Sequence, residues 1–158
     1  MKTVTFDSTA KPDDTVVLKA IATGWHVAYA SVSLREAKGA DFEVTLRNHE
    51  QVPEIPVWDE SAWGEARWPD ESSSERLEKI LKLISNSGFP KSRTNLSQGL
   101  LHQLRDAMIL EAHVAAGRSV FVTSDTKAFI RNGRRDQLQA LLGTRILSTE
   151  EFLSELNG

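Results

Sequence analysis

The chain contains no cysteine. That excludes disulfides and any thiolate-bound metal, and it fits a reducing compartment, so a cytoplasmic protein is the plain expectation. Long apolar runs are missing as well. No window approaches the roughly 20 apolar residues of a transmembrane helix, and no membrane is expected among the partners. Met1-Lys2-Thr3 runs straight into a strand-like segment, without the apolar region of a signal peptide. Nor is there an excess of positive charge: 19 Lys and Arg face 22 Asp and Glu, for a net charge of −3. A polyanionic ligand would therefore need a local basic patch or bound cations, because the global field does not attract it. Internal repeats and low-complexity tracts are absent. The 158 residues, 40% hydrophobic and 26% charged, read as one globular domain over 1–158, long enough to bury a core.

What is present is an alternation of strand and helix signals. Lys2 to Phe6 reads as a buried strand with Val4 and Phe6 on one side. Pro12, Asp13 and Asp14 suit the start of a helix that carries Val16, Val17, Leu18 and Ile21 and closes at Gly24. His26 to Ser31 reads as a second strand, and Ser33-Leu-Arg-Glu36 as a capping box opening the next helix. Trp58, Trp63 and Trp68 recur every five residues among prolines and acids, which fits neither a helix nor a strand. We read about 53–75 as an ordered loop insertion whose indoles pack onto the body.

A helix follows from Ser74 through Ile84, with Leu77, Ile80, Leu81 and Ile84 on one stripe. The next, from about Ser97 to Ala116, is apolar on nearly every side in its second half, as a buried helix is, and stops at Gly117. Arg118 to Thr123 is a β-branched strand, Leu138 to Leu142 belong to a helix ending near Gly143, and Thr144 to Leu147 form a last strand. Ser148-Thr-Glu-Glu151 is a second capping box. This order predicts an α/β fold, a three-layer α/β/α sandwich around a parallel sheet of four to five strands.

Acids recur at the edges of these elements. Asp7 closes the first strand, Asp125 closes Val-Phe-Val-Thr-Ser-Asp125, and Asp106 lies on the apolar helix. Carboxyl ends of parallel strands converge on the crevice where α/β folds bind ligands. Carboxylates gathered there repel one another unless a hard cation such as Mg²⁺ lies between them. Asp106 on a buried helix would be costly without a metal or a basic partner. Asp7 and Asp125 each have a plainer use, capping the turn that follows. Lys127, Arg131, Arg134 and Arg135 form the densest basic cluster, beside Asp125, and suit phosphate.

With these residues placed, the chain resembles the PIN-domain nuclease family. Asp106-Ala-Met-Ile-Leu-Glu-Ala-His, then Gly117, Val-Phe-Val-Thr-Ser-Asp125 and Phe129 match the family pattern in order and spacing. Arg145-Ile-Leu-Ser-Thr-Glu-Glu-Phe-Leu looks like its final strand and helix, Asp7 matches its first acid and Glu36 its second. The likeness covers about fifty residues strongly and the first forty moderately. A capping box already accounts for a glutamate at position 36, which leaves Glu43 and Glu50 as alternatives.

The resemblance implies hydrolysis of phosphodiester bonds, RNA preferred, with Asp7, Glu36, Asp106 and Asp125 holding Mg²⁺ or Mn²⁺ and leaving a 5′-phosphate. It implies support from a hydroxyl at Thr123 or Ser124, and His102 stands one turn before Asp106. A protein antitoxin or inhibitor and a homodimer are the partners that this toxin-type reading allows. The alternative is a catalytically inactive PIN-like nucleic-acid-binding or scaffold module. A phosphatase-like or receiver-like domain fits less well. Asp7 is followed by Ser8-Thr9 without a second aspartate two residues on, and no receiver-type aspartate and lysine pair is found.

Overall fold

A computed structural model describes residues 1–7, 10–53, 70–85 and 97–158. The three tryptophans of the expected insertion, Trp58, Trp63 and Trp68, lie outside the described residues. The described elements run β1 (Thr3–Phe6), α1 (Thr15–Ala22), β2 (His26–Ala30), α2 (Ser31–Glu36), α3 (Glu43–Arg47) and β3 (Glu50–Val52). They continue through α4 (Glu71–Ser85), α5 (Gln98–Ala115), β4 (Val120–Thr123), α6 (Thr126–Phe129), α7 (Arg134–Leu142), β5 (Arg145–Ser148) and α8 (Thr149–Asn157). None of these helices is long and apolar enough to cross a membrane.

The strands form one five-stranded sheet in the order β3-β2-β1-β4-β5. Every pairing is parallel, with Val4 opposite Val27 on one side and Val120 on the other. Helices cover both faces, as the expected α/β/α sandwich requires. Val4, Phe6, Tyr29, Val120 and Val122 face α1 and α8, where Phe152 packs edge-on against Phe6 at 5.8 Å between ring centroids. Ala28, Ala30, Phe121 and Ile146 face α4, α5 and α7. The two-residue period of each strand thus splits its side chains between two cores. Central strands buried on both faces are apolar almost throughout, which is why they were visible as short β-branched runs.

Several buried polar side chains are tied down. Thr5, fully buried in β1, meets His113 Nδ1 at 2.9 Å, and His113 Nε2 meets Thr144 Oγ1 at 2.7 Å. One imidazole from α5 therefore joins the central strand to the start of β5. At the amino ends of the strands, the buried Arg118 guanidinium donates to the carbonyls of Val4 and His26 and pairs with Glu50 at 3.1 Å. Glu111, fully buried on α5, pairs with Arg76 of α4 at 2.8 Å.

Several local expectations are corrected. Of the apolar run in α1, Leu18 and Ile21 are exposed, because the helix turns only Val16, Val17 and Ala20 to the core. Ser33 does not cap a helix: α2 already starts at Ser31, and Glu36 is its last residue. The Ser33 hydroxyl is buried and has no hydrogen-bond partner among the described residues. Helix α4 begins at Glu71, ahead of Ser74, because the Asp70 carboxylate accepts from the Ser73 N–H at 2.6 Å and starts the turn. The second capping box forms as expected, with Glu151 N–H donating to Ser148 Oγ at 3.1 Å and Ser148 N–H to Glu151 Oε2 at 2.8 Å.

Candidate functional site

Strand order runs outward from β1 through β2 to β3, then resumes on the other side with β4 and β5, so it reverses between β1 and β4. The carboxyl ends of these two strands bound the crevice in which an open α/β sheet binds ligands. Asp7 follows β1 directly and Asp125 lies two residues beyond β4. The expected acids therefore sit at the switch point of the sheet.

Asp7 is 3% exposed. Its backbone N–H continues the β1–β4 pairing by donating to Val122 O at 3.1 Å. Its carboxylate accepts from the Thr123 hydroxyl, and the same hydroxyl accepts from the Asp125 N–H at 2.9 Å. Thr123 thus links the two strand-end acids. Asp125 also serves the plainer role foreseen for it: its carboxylate accepts from Ala128 N–H at 2.9 Å and caps α6.

Asp106 comes from the middle of α5 and lines, with Glu36, Asp125, Arg105 and His102, a cleft of about 380 Å³. The Asp106 carboxyl is pushed up to about 8, first by burial and then by the charges of Asp125, Glu36 and Asp7. The other three acids matched by the resemblance therefore all act on Asp106. A cation among them would relieve the repulsion that raises Asp106, so the donor chemistry suits a hard divalent ion. Yet no group of three Asp, Glu or His side chains stands ready to hold a metal among the described residues.

The two alternatives to Glu36 are placed elsewhere. Glu43 pairs with Arg47 at 2.8 Å and accepts from the Gly39 N–H, which holds its carboxyl below the usual range. Glu50 begins β3 and is paired with Arg118 at the opposite ends of the strands. Of the three candidates, Glu36 is the one that faces the cleft.

Of the supporting residues, Thr123 is buried in the acidic array, Ser124 is exposed beside it, and His102 is exposed on the cleft wall. The basic cluster is divided. Arg134 donates to the Lys127 carbonyl at 2.7 Å, and Arg135 is paired with Glu151 of α8 at 2.8 Å. Lys127 and Arg131 are exposed. Arg105 was not singled out by sequence, although it directly precedes Asp106; the signal was a basic residue adjacent to the acid on the same helix. Phe42 was missed as well, lying in a stretch without a motif. It walls the cleft just before α3. No protein-family model, curated protein or solved structure matches the chain.

Proposed function

We propose that the chain is a divalent-metal-dependent endonuclease of the PIN-domain type that hydrolyses RNA. The observation that carries this reading is that Glu36, Asp106 and Asp125 line one cleft, with Asp7 linked to Asp125 through Thr123, at the point where the strand order reverses. Those acids are the residues that would hold Mg²⁺ or Mn²⁺. A bound ion supplies a water of lowered pKa and neutralises charge developing on the phosphate. The chain's own contribution is orientation. Thr123 fixes Asp7 relative to the Asp125 backbone, and α6 holds Asp125 by its cap. Arg105 and His102, on the wall that carries Asp106, bring positive and hydrogen-bonding groups to a cleft that three carboxylates line. A toxin-type role in the cytoplasm, blocked by a protein antitoxin, belongs to the same proposal.

The test is cleavage of end-labelled single-stranded RNA and DNA of one sequence, with Mg²⁺, with Mn²⁺ and with EDTA, beside Asp106→Asn. Metal-dependent cleavage of RNA to 5′-phosphate ends, lost in the variant, is expected. Cleavage that persists in EDTA would remove the metal mechanism.

One observation favours a second reading. No ready three-ligand group stands among the described residues, and Asp125 is engaged as a cap. A catalytically inactive PIN-like nucleic-acid-binding or scaffold module has no need of such a group. Binding of RNA without cleavage in any metal would select it.

A further inference from the structure

Phe42 belongs to two clefts. One is the acidic cleft of Asp106; the other, about 270 Å³, is lined also by Lys11, Asp13, Asp41 and Thr45. The ring is therefore the wall between them. The ring packs against the core beside α1 and α8, and Lys11 Nζ lies over it, 5.5 Å from its centroid. We propose that this second cleft is a nucleoside subsite for the residue next to the scissile phosphate of a single-stranded RNA. In it, the exposed Lys11 side chain swings off the Phe42 ring to the following phosphate, and the base stacks on the ring face it leaves. The inference rests on the nuclease reading and adds where the strand leaves the acidic cleft.

The walls are held in advance by their own turns. Lys11 N–H donates to Asp14 Oδ2 at 2.8 Å, and Asp14 N–H returns to Lys11 O at 3.0 Å, which fixes the base of the lysine while its chain stays exposed. Glu43 N–H donates to Ala40 O at 3.0 Å and Leu46 N–H to Phe42 O at 2.9 Å, fixing the backbone under the ring. An aromatic face with an adjacent cation is what single-stranded nucleic acid uses when no base is read by its edge. Asp13 and Asp41 do not suit a phosphate. They do suit the ribose 2′-hydroxyl, which donates to a carboxylate and is missing from DNA. The ring, the cation and the two carboxylates thus match base, phosphate and sugar of one ribonucleotide. A small apolar ligand would leave both carboxylates unmatched.

The test uses a fluorescein-labelled 12-nucleotide RNA and the DNA of the same sequence. Binding is read by anisotropy in Ca²⁺, and cleavage is read in Mg²⁺ or Mn²⁺. Phe42→Leu keeps apolar volume and removes the ring; it is expected to weaken RNA binding about tenfold, the scale of one lost stacking contact. Lys11→Gln, at an exposed position that leaves the fold intact, should weaken binding and flatten its salt dependence by about one unit of slope. Asp13→Asn with Asp41→Asn should narrow the preference of RNA over DNA. The Mg²⁺-induced thermal shift should remain in all of them, because none holds the ion. Wild-type cleavage with Phe42→Leu and Lys11→Gln cutting and binding alike would overturn the subsite alone. A wild type that neither binds nor cuts either strand would overturn the nuclease reading, and the subsite with it.

Discussion

The hydroxyl of Thr123 donates to the carboxylate of Asp7 across the boundary between β4 and β1, while accepting from the amide of Asp125. One buried side chain therefore sets the spacing of two acids that lie more than a hundred residues apart in sequence. Thr123→Val keeps the shape and removes both hydrogen bonds. It should destabilise the protein by about 1–3 kcal/mol, the usual cost of a broken buried polar contact. Thr123→Ser should recover most of that loss. Urea denaturation of the three proteins measures it, and equal midpoints for Val and Thr would mean the link is not a stabilising one.

The crowding of carboxylates around Asp106 leads to a metal prediction. Mg²⁺ or Mn²⁺ should raise the melting temperature, because an ion bound only by the folded state stabilises it by mass action. Asp106→Asn should melt higher than wild type in EDTA, since it removes the carboxyl that burial and three neighbouring acids oppose. The same variant should gain little from added metal. Asp125→Asn is the companion control, because asparagine preserves the cap on α6. A metal shift of equal size in all three proteins would exclude these acids as ligands.

How far the sequence revealed this arrangement differs between elements. Val4, Phe6 and the run from Val120 to Thr123 were legible because central parallel strands are buried on both sides and show continuous apolar character. Ser148 and Glu151 formed the capping box their spacing predicts, whereas Ser33 and Glu36, with the same spacing, did not. There the chain leaves β2 directly into helix at Ser31, so tertiary packing overrode the local signal. Strand β3 went unread because Glu50-Gln-Val52 is a three-residue edge strand with only Val52 buried. Asp7, Asp106 and Asp125 were read from their positions after strands and on the buried helix, and Glu36 from the resemblance alone. Their gathering at one crevice was expected from the carboxyl ends of parallel strands, but which strand ends are neighbours is decided by the sheet order. Phe42 and Lys11 had no periodicity or motif to mark them.

His113 and Asp106 respond to pH with opposite signs. Burial, helped by the Arg118 charge, lowers the His113 imidazole to about 3, against about 6.5 in an unfolded chain. Between these values only the unfolded state takes up the proton, so this contribution is complete above 6.5 and is lost as pH falls. Asp106, raised to about 8 from an unfolded value of 3.8, contributes stability that is complete below 3.8 and is lost as pH rises through 8. In EDTA the two slopes oppose each other from about 4 to 6.5. Asp106→Asn should therefore uncover the histidine slope, losing up to about 1.4 kcal/mol per pH unit on acidification. Adding His113→Gln should flatten it again. Denaturation midpoints at several pH values decide this; an Asp106→Asn protein as indifferent to pH as wild type would refute the assignment.

Contact with a long polyanion should depend on the cations that the fold leaves outward. Arg135 is paired with Glu151 and Arg134 reaches the Lys127 carbonyl, whereas Lys127 and Arg131 are exposed near the Asp125 end of the cleft. Each phosphate contact releases condensed counterions, so losing two such contacts should reduce the salt slope of RNA binding by about one to two units. Lys127→Ala with Arg131→Ala should show that reduction and leave the metal-induced thermal shift unchanged. Arg135→Ala should instead act mainly on stability, and weakly, because an ion pair at the surface contributes about 0–1 kcal/mol. Binding isotherms between 50 and 200 mM salt, roughly the range over which counterion release is felt, separate the two effects. If Arg135→Ala changes the salt slope and the Lys127 and Arg131 pair does not, the strand crosses the α7–α8 side of the protein and the assigned path is wrong.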